Sequence, residues 1–147
     1  MRDELKFTSR LGMVLVGTAL ALTGCSAGSP IAALERDAQP SDAWPGDTSM
    51  LEGFDPASVR NLGTHEGTDY FVLASEDRKS ACIYRFSGDG SAEDGMGGCG
   101  GLEGGQVIVT VGALDTRMSL VADDAMVDDL LDTGWIRINQ NVLIPAS

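Results

Sequence analysis

The side chains that could perform chemistry are one histidine, three cysteines and 22 acidic residues. His65 stands beside Glu66, and a hydrolase would need such a base next to an orienting acid and an activated nucleophile. No nucleophile motif surrounds nearby serines such as Ser58 and Ser75, so His65 is interpreted as an exposed turn residue. Acids far apart in sequence could still pair as they do in glycoside-cleaving enzymes. The sequence therefore predicts a protein that is not an enzyme, with a hydrolase that uses paired carboxylates as the alternative.

Two groups of acidic residues could attract a cation. Hard cations need several oxygens that converge at fixed geometry, and neither group has the spacing of an EF-hand loop. We therefore interpret both groups as solvated acidic surface and predict no metal and no cofactor, with cation or solute binding as a further alternative. The first group is Asp89, Glu93 and Asp94, and the second is Asp123, Asp124, Asp128, Asp129 and Asp132.

Composition narrows the class of protein further. The 147 residues suit one ordinary domain, and 43% of them are hydrophobic, which is enough for a core. A formal net charge of −12 argues against nucleic-acid binding, because phosphate backbones need Lys and Arg to replace their counterions. The glycine-rich run 95–105 lacks the Lys-Ser/Thr ending of a phosphate loop and is expected to be a mobile loop.

The first 22 residues have the pattern of an export signal. Arg2, Lys6 and Arg10 precede a run of twelve uncharged residues, Leu11–Leu22. A membrane-spanning helix needs about 20 apolar residues, so this run is too short for an ordinary anchor. A basic start followed by a short apolar stretch and small residues predicts export instead.

Leu22-Thr23-Gly24-Cys25 resembles a lipobox, the cleavage and acylation motif of bacterial lipoproteins. The resemblance implies cleavage between Gly24 and Cys25 and a diacylglyceryl thioether on Cys25. Two acyl chains hold a protein on a membrane far more firmly than one. The expected location is therefore the extracytoplasmic face of the cell membrane, with the lipid on Cys25 as the contact to the bilayer.

The chain as a whole is similar to small lipoproteins of high-GC Gram-positive bacteria. This resemblance is carried by the lipobox, by the pair Cys82 and Cys99 after the segment 70–72, and by the segment 134–137 near the end. It implies export and anchoring and brings no particular activity with it.

Cys82 and Cys99 are the cysteines that remain once Cys25 is assigned to lipid. Two cysteines in an exported chain are most economically explained by one disulfide. It would close a loop of sixteen residues and stabilise the fold by about 3 kcal/mol. A redox-active pair would normally be closer in sequence and near the start of a helix, so the predicted role of Cys82 and Cys99 is a structural disulfide.

Three regions are expected along the chain: a signal peptide at 1–24, a lipid-anchored flexible linker at 25–49, and an extracytoplasmic domain at 50–147. Prolines and glycines between residues 28 and 46 favour an exposed linker. Trp44 within this linker is expected to pack on the domain.

Short apolar runs separated by glycine and aspartate turns predict a small α+β domain. It would be mostly antiparallel sheet with one short helix near the C-terminus, and an all-β sandwich is the alternative. The helix is expected after a cap at Asp123 or Asp124 and before Gly134. The predicted strands are 58–65, 70–75, 81–86, 106–111, 116–122 and a last strand over 135–144 with a bulge at Asn139-Gln140-Asn141.

With no assembled catalytic set in the sequence, the expected function is a binding or interaction module on the outer face of the membrane. Its expected partner is another envelope protein, met through an exposed strand edge or the glycine-rich segment.

Overall fold

The computed structural model describes residues 28–87 and 95–147, which form a mostly antiparallel α+β domain. This confirms the predicted fold class. Two four-stranded sheets have the orders β1-β2-β3-β4 and β5-β6-β8-β7, and every strand pair is antiparallel. In chain order the elements are β1 (Arg60–His65), β2 (Thr68–Ala74), β3 (Ser80–Ser87), β4 (Met96–Gly101), β5 (Val107–Val111), β6 (Met118–Val121), α1 (Asp128–Asp132), β7 (Trp135–Arg137) and β8 (Val142–Pro145).

The two sheets enclose one shared core. Val72 and Ile83 of the first sheet pack in the same cluster as Met118, Leu120 and Val142 of the second, and all five side chains are fully buried. Their β-branched and long apolar side chains suit a pleated surface that is covered by a facing sheet. Burial of this cluster is the main force that holds the two sheets together.

The first sheet is also covered on its other face. Phe71 and Leu73 alternate with the core residues of β2, and they lie in a second apolar cluster. Residues 70–74 are therefore all buried, because each successive side chain meets a covered face. The N-terminal segment supplies the cover on this side.

That segment differs from the flexible linker expected at 25–49. Over the described residues from 28 onward it folds onto the domain: Ile31 is fully buried and Leu34 nearly so, both in the shared core. Trp44 packs edge to face against Phe86, with ring centroids 4.9 Å apart, and against Tyr84 at 5.2 Å. Proline spacing suggested a linker, but burial of the apolar residues between the prolines offsets the entropy of ordering the segment.

Charged hydrogen bonds hold the same segment in place. The Asp42 carboxylate is buried and accepts two hydrogen bonds from the Arg36 guanidinium, at 2.6 Å each, and one each from the backbone N–H groups of Gln39 and Asn61, at 2.7 Å. These bonds, with that to Arg36 the strongest, hold the pKa of Asp42 well below its ordinary value. Arg60 donates to the carbonyl oxygen of Arg36 and so joins the segment to the start of β1.

More than half of the glycine-rich run 95–105 is a strand where a mobile loop was expected. Residues Met96–Gly101 form β4, an edge strand that pairs with β3. A β-carbon at Gly100 would overlap the carbonyl oxygen of Ile108 in β5, and one at Gly98 would overlap the side chain of Val111. The glycines therefore allow the edges of the two sheets to approach closely, which is a role that composition alone does not reveal.

The C-terminal region forms a hairpin and not one bulged strand. β7 and β8 pair with each other, with Ile136 opposite Ile144. Asn139-Gln140-Asn141 forms the turn between them, where the Asn139 side chain accepts from the N–H of Asn141 at 2.8 Å. Asn and Gln suit such a turn because a short amide side chain bonds the backbone two residues on.

The helix is shorter and starts later than expected, at Asp128. Asp123 does not cap it. Instead its carboxylate accepts hydrogen bonds from the N–H of Ala32 at 2.7 Å and from the side chain of Asn141 at 2.8 Å. The N–H of Asp123 also donates to the carbonyl oxygen of Pro30. Asp123 thus ties the N-terminal segment to the second sheet.

Candidate functional site

The turns of the domain gather at two opposite ends. One end, which we call the N-terminal pole, contains Pro30, the turn after Ala74, and Asp123 at the end of β6. The other end, the opposite pole, contains the turn between β1 and β2, the turn 112–117, and the end of β8. Strand β2 runs from one to the other over its seven residues, a span of about 20 Å.

Two open grooves lie at the N-terminal pole, on either side of the chain at residues 28–30. The larger has a volume of about 610 Å³ and is lined in part by Leu34, Arg78 and Leu102. Arg78 is already paired with Asp55, at 2.7 Å. The smaller has about 290 Å³ and includes Asp123. Arg78 and Asp123 are thus occupied by contacts within the fold, and the other charged side chains that line these grooves, Glu35, Glu103 and Asp124, are all acidic.

A smaller and more polar pocket of about 180 Å³ opens at the opposite pole, between the two sheets. The first sheet supplies Tyr70 and Arg85, which are paired neighbours on β2 and β3. Arg117 comes from the side of the second sheet and lies just before β6. The full lining is His65, Glu66, Thr68, Tyr70, Arg85, Asp115, Arg117, Ile144, Pro145 and Ser147.

The two arginines of this pocket differ from the other arginines in the described ranges. The side chains of Arg36, Arg60, Arg78 and Arg137 all donate hydrogen bonds to protein oxygens. Within residues 28–87 and 95–147, no such bond is formed by Arg85 or Arg117; Arg117 instead lies over the ring of Trp135, 5.2 Å from its centroid. A guanidinium stacked on an aromatic ring keeps its N–H groups available to an acceptor.

Tyr70 brings a hydroxyl to the same pocket. The residue is 4% exposed, and its ring lies in the shared core. Its hydroxyl has no hydrogen-bond partner among the described residues, although none of their fully enclosed side-chain N or O atoms lacks one. The hydroxyl must therefore reach the pocket opening. Burial raises the pKa of Tyr70, with Arg85 opposing and Glu66 adding to the shift, so the phenol stays a proton donor at neutral pH.

The structure brings some sequence-predicted residues together and leaves others apart. His65 lies in the opposite-pole pocket beside Glu66, and not simply on an exposed turn. Cys82 and Cys99 are directly opposed on β3 and β4 and form the predicted disulfide. Gly24 and Cys25, the predicted cleavage and acylation residues, lie outside the described residues, as do Asp89, Glu93 and Asp94.

The second acidic group does not converge on a point. Asp124, Asp128, Asp129 and Asp132 are exposed. Among residues 28–87 and 95–147, no three His, Cys, Asp or Glu side chains are placed to hold a metal ion. In the same ranges, no helix has the length and apolar character needed to cross a membrane.

Sequence reasoning missed Tyr70, Arg85 and Arg117 as site residues. Tyr70 and Arg85 stand inside strong strand patterns, where a tyrosine and an arginine are expected to pack or to reach solvent. One signal was present. Side chains alternate between the two faces of a strand, and this alternation places the polar groups of Tyr70 and Arg85 on the face that is directed toward the core between the sheets.

No protein-family model matches the chain, and neither a curated protein nor a solved structure matches it. The function must therefore be inferred from the residues of this chain.

Proposed function

We propose that the chain is a membrane-anchored lipoprotein on the extracytoplasmic face, and that its domain is a non-catalytic binding module of the cell envelope. The observation that carries the proposal is that the entry of the chain and the polar pocket lie at opposite ends of the domain. The chain enters the fold at the N-terminal pole, five residues after Cys25, and the polar pocket opens at the opposite pole.

The short connection defines how such a module would stand on a membrane. From Cys25 to Pro30 the chain can span at most about 18 Å. Pro30 is held by Asp123, and Ile31 is buried, so no further length is available without breaking the fold. An acylated Cys25 would therefore keep the N-terminal pole beside the bilayer and direct the pocket away from it.

Charge supports this arrangement. The segment 1–24 carries three basic and two acidic side chains, so the chain that starts at Cys25 has a formal charge of −13. Anionic lipid would repel such a body, so acyl chains and not surface electrostatics must hold the protein to the membrane.

The orientation can be tested with a photoreactive residue placed at either pole of the acylated protein in its native membrane. One variant carries it in place of Glu103, which lines a groove at the N-terminal pole, and the other in place of Leu114, which is 79% exposed at the opposite pole. We expect lipid adducts with the first variant and none above background with the second.

A Cys25→Ala variant is the matched control, because it removes the acylation site and leaves the domain unchanged. It should leave the membrane fraction and lose lipid adducts at both positions. Equal lipid labelling at the two poles would contradict the orientation, and retention of the Cys25→Ala variant in the membrane would contradict the lipid anchor.

A second candidate is an envelope hydrolase that uses paired carboxylates. The observation that favours it is that Glu66 and Asp115 line the same pocket as His65. Hydrolysis of an envelope glycan by the purified chain, with loss of activity in both Glu66→Gln and Asp115→Asn, would establish this candidate in place of the binding module.

A further inference from the structure

The opposite-pole pocket carries both signs of charge, which restricts the ligand that it can accept. Arg85 and Arg117 contribute two positive charges, and Glu66 and Asp115 contribute two negative charges. A simple anion would be attracted by the arginines and repelled by the acidic side chains. A simple cation would be attracted by the acidic side chains and repelled by the arginines. A ligand with one charge of each sign can use both sets.

The pocket also supplies a specific donor for the negative end of such a ligand. Tyr70 is a nearly buried residue whose hydroxyl reaches the pocket, has no partner among the described residues, and belongs to the cross-strand neighbour of Arg85. A carboxylate can accept from two guanidinium groups and a phenol at once, since each of its oxygens has two lone pairs. Binding would therefore satisfy three donors that lack protein acceptors in the described part of the chain.

Size limits the rest of the ligand. A volume of 180 Å³ corresponds to about six water molecules at about 30 Å³ each, well below the range of pockets for drug-sized ligands. Ile144 and Pro145 give one wall an apolar surface. A short apolar side chain next to the two charged groups fits these limits.

We propose that the opposite-pole pocket binds a small α-amino acid as its zwitterion. Its carboxylate is held by Arg85, Arg117 and the hydroxyl of Tyr70. Its ammonium group faces the carboxylates of Glu66 and Asp115, and a methyl-sized side chain lies against the apolar wall. This ligand rests on the binding function proposed above and names its chemical class.

Three related probes, alanine and two molecules that each lack one of its charged groups, test the proposal by calorimetric titration of the full acylated chain in detergent. Alanine carries both charges, propionate lacks the ammonium group, and ethylamine lacks the carboxylate. We expect saturable binding of alanine at or below millimolar concentration, and binding at least tenfold weaker for each of the other two.

Variants locate the binding in the pocket. Tyr70→Phe removes one oxygen and should weaken alanine binding about tenfold, the loss of one hydrogen bond to a charged group. Arg117→Gln, at an exposed position, should weaken it by at least as much, whereas Arg78→Gln at the N-terminal pole should leave it unchanged.

Three results would overturn the proposal: no saturable heat with alanine, equal affinity for propionate and alanine, or unchanged binding in both pocket variants. Each of these results would exclude the amino acid as the ligand. None would contradict the anchored binding module, because the lipid-labelling experiment at Glu103 and Leu114 measures the anchor and the orientation independently of any ligand.

Discussion

Replacement of Ile31 by alanine should destabilise the domain strongly, although the residue lies in a segment whose composition is typical of a linker. Ile31 is fully buried between the two sheets with Leu34 and Val72. Truncation to alanine removes three carbon atoms, which is worth about 2.4 kcal/mol of transfer free energy at about 0.8 kcal/mol for each. With the cavity that remains, we expect a loss of about 3 kcal/mol in the free energy of unfolding.

Urea unfolding of the full chain in mild detergent, followed by the fluorescence of Trp44 and Trp135, measures this loss. Both tryptophans pack against the fold, so their emission reports its loss. At a typical slope of about 2 kcal/mol per molar urea, the midpoint should fall by about 1.5 M. Ile136→Ala is the matched control at a 38% exposed position and should cost less than about 1 kcal/mol. If the two variants unfold alike, the N-terminal segment is not part of the core and the short connection to Cys25 is refuted.

Three further predictions concern other contacts of the fold. Gly100→Ala should cost about 3 kcal/mol, because its β-carbon has no space against β5, whereas Gly101→Ala, with open space, should cost little in the same urea titration. Asp42 is stabilised in its charged form, so its contribution is present at neutral pH and should be lost as the pH falls below about 4; Asp42→Asn should flatten this acid limb of a stability-against-pH curve. Paired replacement of Cys82 and Cys99 by serine should lower the unfolding free energy by about 3 kcal/mol, and a loss near zero would contradict the loop-closure argument.

Strands with dense apolar patterns were predictable from sequence because runs of apolar and β-branched residues favour buried strands. The strand predicted at 70–75 lies at Thr68–Ala74, and the one predicted at 106–111 lies at Val107–Val111. The glycine-rich β4 could not be found in this way, because Gly98 and Gly100 are explained by close contacts to β5, which is adjacent to them only in three dimensions. The same limit applies to Asp123, whose carboxylate bonds Ala32, 91 residues away.

The candidate site was less predictable than the fold. His65 and Glu66 were noticed because they are adjacent in sequence, but Asp115 and Arg117 reach the same pocket from the turn that precedes β6 of the other sheet. A pocket formed between two sheets collects residues whose separation along the chain carries no pattern. The disulfide was predictable because it depends on the cysteine count, whereas the lipid anchor at Cys25, which depends on a local motif, stays a prediction.

Intact mass spectrometry of the protein extracted from its native membrane tests the anchored-module account most directly. The account predicts a chain that begins at a diacylated Cys25 and is two hydrogens lighter than the reduced form, as the disulfide between Cys82 and Cys99 requires. A chain without acyl groups, or one that retains residues 1–24, would contradict the lipid anchor and the orientation that follows from it.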